Sequence, residues 1–196
     1  MEFQDVVRRR KMVRSFLDRP VPRDSLDRIL RNALRGPSAG FSQGFEFLVL
    51  EGREQTSRYW QATLAPEHAH PFPWPDMLKA PVLIVCLSHK LAYLRRYAEP
   101  DKGWADMDES RWPVPYWDID TGMAALLMLL MAVDEGLGAC FFGAPKAAVR
   151  EAFGVPEEYV PIGTIAVGYA APRDRQSASI PGRRRHPSDV IHRGGW

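Results

Sequence analysis

Seven consecutive residues near the N-terminus, Arg8-Arg9-Arg10-Lys11-Met12-Val13-Arg14, hold five cations directly after a short apolar-polar stretch. Guanidinium forks and an ammonium point charge suit an oxyanion, above all a phosphate, although a solvated basic turn has the same composition. A second cluster, Arg183-Arg184-Arg185, lies near the other terminus and would share that phosphate if the fold brings the two together. The segment Gly36-Pro37-Ser38-Ala39-Gly40-Phe41-Ser42-Gln43-Gly44 is built of turn formers. Its small residues let backbone N–H groups come close to the heteroatoms of a flat ligand. It lacks the Gly-Lys-Ser/Thr ending of a phosphate-binding P-loop. A third stretch runs from Asp120 to Gly143, an apolar helix followed by Gly136-Leu137-Gly138-Ala139-Cys140-Phe141-Phe142-Gly143. Most of it is core, and its glycine-flanked aromatic pair suits the wall of a cofactor slot.

Other chemistry finds little support. His68-Ala69-His70 has no nearby Cys or carboxylate partner, so no metal site is expected. Ser38 and Ser42 lie outside any Gly-x-Ser-x-Gly elbow. Asp106, Asp108 and Glu109 lack calcium-loop spacing. No Gly-x-Gly-x-x-Gly follows a strand, and Cys86 and Cys140 make neither a disulfide framework nor a metal spacing.

Positioning these groups requires a sequence of alternating helices and separated strands. Helices are predicted over Glu2 to Arg10, after Pro22 (Leu26, Ile29, Leu30, Ala33 and Leu34 on one face), and from Glu54 to Leu64. Further helices are predicted over Lys90 to Tyr97, Trp117 to Glu135 and Pro145 to Phe153. Asp24 or Ser25 would cap or charge the second. Strands are predicted over Phe45 to Leu50, buried on both faces, then Val82 to Leu87 and Ile162 to Gly168, with a short apolar run over Ala139 to Phe142. The long polar stretch from Ala98 to Pro115 reads as a binding loop or lid. This order argues for an α+β domain spanning residues 1–196.

With 196 residues, 26% charged and 45% apolar, the chain has the composition of one folded domain. A net charge of +2 excludes a global field for nucleic acid or anionic membranes, although the cations are 21 Arg against 5 Lys. The longest uninterrupted apolar run, Met123 to Val133, is too short to span a bilayer, and the opening MEFQDVVRRRK lacks a signal-peptide core. A cytoplasmic protein is expected. The residues from Ala171 on cannot form a core alone, yet Ile180, Val190, Ile191 and Trp196 are too apolar for a free tail.

The ordered set of motifs resembles the FMN-dependent nitroreductase superfamily. Arg10-Lys11-Met12-Val13-Arg14-Ser15-Phe16 is similar to that family's Arg-Arg-Ser-x-Arg-x-Phe, and Pro37 to Phe45 to its Pro-Ser-x-x-Asn-x-Gln-Pro-Trp loop. Pro20-Val21-Pro22 resembles its Val-Pro helix start, and Asp120 to Gly138 its Asp-x-Gly-x-Ala helix with Gly-Leu-Gly ending. The resemblance implies a central, mostly antiparallel sheet flanked by helices in an intertwined homodimer. FMN would sit at the subunit interface, and the arm from about 171 to 196 would cross to the partner. Arg10, Lys11 and Arg14, with Met12 between them, would join Arg183 and Arg185 around the phosphate and ribityl chain. Pro37, Ser38 and Ala39 would line the isoalloxazine from the other subunit, with Gln43 at the same wall. Phe142 and Gly143 would place a backbone group near the ring edge.

The implied activity is reduction of a small aromatic, quinone or nitro-type substrate by NAD(P)H, in ping-pong hydride transfer through flavin N5. No catalytic side chain is required. Phe41, Trp112 and Tyr116 are the candidate substrate contacts, although packing alone is the better reading for at least two of Trp104, Trp112, Tyr116 and Trp117 in and beside the long loop. Met12 stands where the family has Ser, Phe41 where it has Asn, and Gly44-Phe45 where it has Pro-Trp. Those changes leave phosphate binding intact and bear on the substrate. Alternatives within the superfamily are dehalogenation, flavin fragmentation, dehydrogenation of a metabolite and deazaflavin use; another is an FMN-binding module without turnover.

Overall fold

The computed structural model describes residues 1–64, 72–175, 180 and 182–196. In chain order the helices are α1 (Phe3–Arg9), α2 (Arg23–Ala33), α3 (Gly52–Thr63), α4 (Lys90–Tyr97), α5 (Tyr116–Asp134) and α6 (Lys146–Phe153). The strands are β1 (Phe45–Glu51), β2 (Val82–Ser88), β3 (Gly138–Phe142) and β4 (Val160–Gly168). They form a four-stranded sheet in the order β1-β2-β4-β3, with every neighbouring pair antiparallel. The expected α+β architecture and antiparallel sheet are therefore present.

Period-two alternation in the central strands builds a core on each face. Val82, Ile84 and Cys86 of β2, with Ile165 and Val167 of β4, face Leu26 and Ile29 of α2 and Ala125, Met128 and Ala132 of α5. Leu83, Val85 and Leu87, with Ala166 and Cys140, form the opposite layer with Tyr59 and Trp60 of α3 and Val149 of α6. The sheet is thus covered by α2 and α5 on one side and by α3 and α6 on the other.

Two expectations are corrected. Strand β1 is an edge strand, with Glu46 and Glu51 exposed and only Phe45 and Leu50 buried, because no described strand lies beyond it. Helix α2 is capped by neither Asp24 nor Ser25, since Pro22 stands at its N-cap without a side-chain bond, although Asp24 does charge its first turn. Helix α5 has 19 residues, long and apolar enough by composition to cross a membrane, with 44% of its most apolar window buried in the fold. Its apolar surface packs on α2 and all four strands, leaving Ile119 and Leu126 exposed on the far side.

Two features of the core predict measurable effects. A Cβ at Gly163 would lie 2.3 Å from the Phe141 ring, so Gly163→Ala is expected to cost about 1–3 kcal/mol in urea denaturation. Burial pushes the Cys86 thiol up to about 12, and burial likewise pushes the Tyr59 phenol up to about 12 against its bond to Thr164. The unfolded chain releases these protons at lower pH than the folded one. Their contribution to stability is therefore complete below about pH 9 and is lost as pH rises toward 12. Unfolding free energy should fall by about 4 kcal/mol between pH 8 and pH 11, and by less than half of that in Cys86→Ala.

Candidate functional site

After α1 the basic segment runs along the free edge of β3, where Met12 makes a parallel bridge to Ala139 and Val13 N–H donates to the Ala139 carbonyl at 3.0 Å. A carboxylate from the start of the C-terminal arm pins it. Asp174, its side chain 3% exposed, accepts the Lys11 ammonium at 2.8 Å, and the backbone N–H groups of Arg14 and Ser15 at 2.8 and 3.1 Å. Lys11 is thereby neutralised inside the subunit. Arg10 and Arg14 form no ion pair among the described residues, and the Arg14 guanidinium lies 5.1 Å from the centre of the Trp74 ring. Nearby, Lys79, then Arg173 and Ser15, hold the Asp76 carboxyl below its ordinary range against partial desolvation. Burial raises the adjacent Cys140 thiol, and Arg14 opposes that shift.

The Gly36–Gly44 stretch folds into a turn with left-handed backbone at Gly40 (φ 62°), Phe41 (φ 57°) and Gln43 (φ 51°). Left-handed geometry is unfavourable for a phenylalanine, so the turn has to be held from outside. Asp120, 2% exposed, accepts the Ala39 N–H and the Tyr93 hydroxyl on one oxygen, each at 2.8 Å. The Ser38 hydroxyl oxygen accepts the Gln43 N–H at 2.9 Å, and the Ser42 hydroxyl donates to the Ala39 carbonyl at 2.7 Å. The Arg96 Nε–H donates to the Gly40 carbonyl at 2.9 Å. Phe41 is left 78% exposed, with Pro37 and Gln43 also at the surface.

Trp112 is the hub of an aromatic cluster, with ring centres of Tyr97 at 4.5 Å, Trp104 at 5.5 Å, Tyr116 at 5.8 Å, Tyr93 at 5.9 Å and Trp117 at 6.0 Å. The long loop is therefore a packed cap beside the turn, with Trp112 and Tyr116 both half-buried in it. Phe142 stacks on Trp60 at 5.5 Å and 15°, while the Gly143 α-carbon faces open space.

The turn enters β1 at one edge of the sheet, and the Arg10–Arg14 segment borders β3 at the other. Four strand spacings of about 4.8 Å separate them by roughly 19 Å, and helices cover both faces between. Residues 182–196 are all exposed, and their hydrogen bonds among the described residues stay local: Arg183 N–H to the Ile180 carbonyl and the Arg185 guanidinium to the Asp189 carbonyl. Among the described residues no hydrogen bond or ion pair joins Arg183 or Arg185 to the Arg10–Arg14 segment.

Tyr93, Arg96 and Asp174 are organising residues that no motif in the sequence marks, whereas Asp120 heads the third candidate stretch. As an acid at the head of a very apolar helix, Asp120 signals a buried polar contact, which Tyr93 supplies. His68 and His70 lie outside the described residues, and among the described residues no group of three His, Cys, Asp or Glu side chains is placed to hold a metal.

The nitroreductase family model matches residues 7–169. A protein of Archaeoglobus fulgidus, provisionally named NADH dehydrogenase/NAD(P)H nitroreductase, is 28% identical over 194 residues, covering 95% of this chain and 94% of its own. A protein of the same provisional name from Methanothermobacter thermautotrophicus is 30% identical over 179 residues, 87% of this chain and 78% of its own. The crystal structure of a nitroreductase family protein from Streptococcus pneumoniae superposes with a TM-score of 0.75 at 20% identity, over 98% of this chain and 100% of that one. That likeness establishes the shared fold.

Proposed function

Because the chain belongs to the nitroreductase family, whose members are flavin- and NAD(P)H-using oxidoreductases, we propose that it is an FMN-dependent enzyme working as a homodimer. Its co-substrate is NAD(P)H and its oxidant a small aromatic, quinone or nitro-type molecule. The reading rests on one observation above all: two guanidiniums without an ion pair among the described residues, and a strained, externally held turn, stand at opposite edges of one sheet. A single flavin reaches both kinds of surface where two subunits meet.

The donor set fits the group. Arg10 and Arg14 offer phosphate two charged forks, and an arm delivered by either subunit would add Arg183 and Arg185. Pro37, Ser38, Ala39 and Gln43 would line the ring, and the backbone at Phe142-Gly143 would approach its edge. Phe41 and Tyr116 would face the substrate, with Trp112 supporting them. When bound, FMN supplies hydride acceptance at N5 and hydride return to whichever oxidant replaces the nicotinamide. The protein's part is to hold positive charge and backbone donors beside the ring, and no titrating side chain is needed. The exposed apolar residues of the arm and of α5, and the groove of about 550 Å³ between α2 and edge strand β1, support the pairing. A cytoplasmic setting accords with the cofactors.

The deciding titration compares FMN with riboflavin. Two charge-assisted bonds predict at least about a 100-fold preference for FMN, and equal affinities would overturn the phosphate assignment. Anaerobic bleaching of the bound flavin by NADPH or NADH separates a reductase from a passive binder. Phe41→Asn tests the substrate wall. Asparagine tolerates the left-handed backbone, so stability and FMN affinity should hold while kcat/KM shifts roughly 10- to 200-fold among quinones and nitroaromatics. Unchanged preferences would remove Phe41 from the pocket.

A further inference from the structure

We propose that Arg96 is a positioning residue, its guanidinium set between Asp101 of the 98–112 loop and the Gly40 carbonyl of the 37–44 turn, so that the loop's position fixes the wall on which the ring rests. The flavin half of this rests on the function proposed above; the mechanical half does not. Arg96 uses the guanidinium plane fully. Nη1 and Nη2 each donate to an Asp101 oxygen at 2.7 Å, leaving Nε for the Gly40 carbonyl at 2.9 Å. A lysine ammonium has no such fork and cannot span both partners in one plane.

The next residue completes the joint. A Cβ at Gly40 would lie 2.6 Å from the Tyr97 ring, so turn and ring meet at van der Waals contact without room for a side chain. The Tyr97 carbonyl accepts the Trp104 N–H at 2.9 Å, and the Tyr97 ring packs on Trp104 and Trp112 at 4.9 and 4.5 Å. The end of α4, the loop and the turn thus move as one piece. Asp101 is 57% exposed, and exposed ion pairs add little to global stability. The pair's consequence is therefore local, at the one backbone group in the turn that Arg96 holds.

The test is hydrogen exchange read by mass spectrometry across residues 38–43, first on flavin-free protein. Arg96→Gln should speed exchange there about tenfold, the equivalent of one lost charge-assisted hydrogen bond, with the unfolding midpoint nearly unchanged. Asp101→Asn, which leaves Arg96 with only the longer Nη1 contact to Glu99 at 3.1 Å as its carboxylate anchor, should act in the same direction. Arg96→Lys should restore part of the protection. In FMN-loaded protein, Arg96→Gln should alter the visible circular dichroism of the flavin and raise KM for the oxidant more than it lowers kcat. Unchanged exchange in both Arg96→Gln and Asp101→Asn would overturn the proposal. Wild-type protein that fails to retain FMN would instead overturn the flavin reading, and the exchange result would still decide whether Arg96 holds the turn.

Discussion

Replacing Asp120 with alanine should lower the unfolding free energy by about 3–5 kcal/mol, the largest loss expected from any single polar side chain here. The carboxylate is buried at the head of α5 and accepts two donors, the Ala39 N–H and the Tyr93 hydroxyl. Without it, the buried Tyr93 hydroxyl and the half-buried Ala39 N–H lose their acceptor, and the turn loses its anchor to the helix. Burial first, then the Asp120 bond and charge, raises the Tyr93 phenol far above its ordinary range, so Tyr93 stays a donor at any pH the fold tolerates. Tyr93→Phe alone should cost about 1–2 kcal/mol, and the double variant less than the sum of the two. Urea denaturation measures all three. A loss under about 1 kcal/mol for Asp120→Ala would mean that the turn repacks without its anchor.

Removing residues 183–196 should leave the monomer's fold nearly as stable as before, while FMN affinity drops by about 100-fold or more. Every residue of the arm from 182 onward is exposed, so its loss uncovers little of the subunit's own core. It does remove Arg183 and Arg185, and it removes Val190, Ile191 and Trp196, which are 48%, 56% and 103% exposed in the single subunit. Those side chains, with Ile119 and Leu126 of α5, are the material of an interface that should exceed about 1,600 Å² in total. Flavin titration and sedimentation at sub-micromolar protein provide the readouts. A truncated protein that keeps its FMN affinity and stays dimeric would overturn the arm's role in both flavin binding and pairing.

The elements with strong local signals were legible in the residues alone. The apolar stripe of α2 and the uninterrupted apolar run of α5 left no competing period, and Val82–Leu87 had no polar position at all. Strand β1 was misread because apolar residues at alternate and intervening positions look alike whether a neighbouring strand exists or not. The basic segment was legible as chemistry and illegible as structure: nothing in Met12 or Val13 announces an edge pairing with Ala139. Asp174 was invisible for a similar reason. A lone aspartate in an Arg-rich stretch looks solvated, and only the return of the chain to residues 11–15 buries it. Trp112 shows the converse, since an aromatic residue in a polar loop suggests a ligand until five other rings are found around it.

The two thiols lie in different layers of the sheet, Cys86 beneath α2 and α5 and Cys140 beneath the Arg10–Arg14 side. They are too well separated by the sheet to pair, and each becomes reactive only when its own layer opens. Single-cysteine forms would therefore label at two independent rates under native conditions. Occupancy of the basic edge should slow labelling of Cys140, whose neighbours include Arg14 and Asp174, and leave Cys86 unchanged. The chain thus carries a native chemical reporter of ligand binding at one edge, with an internal control in the other layer.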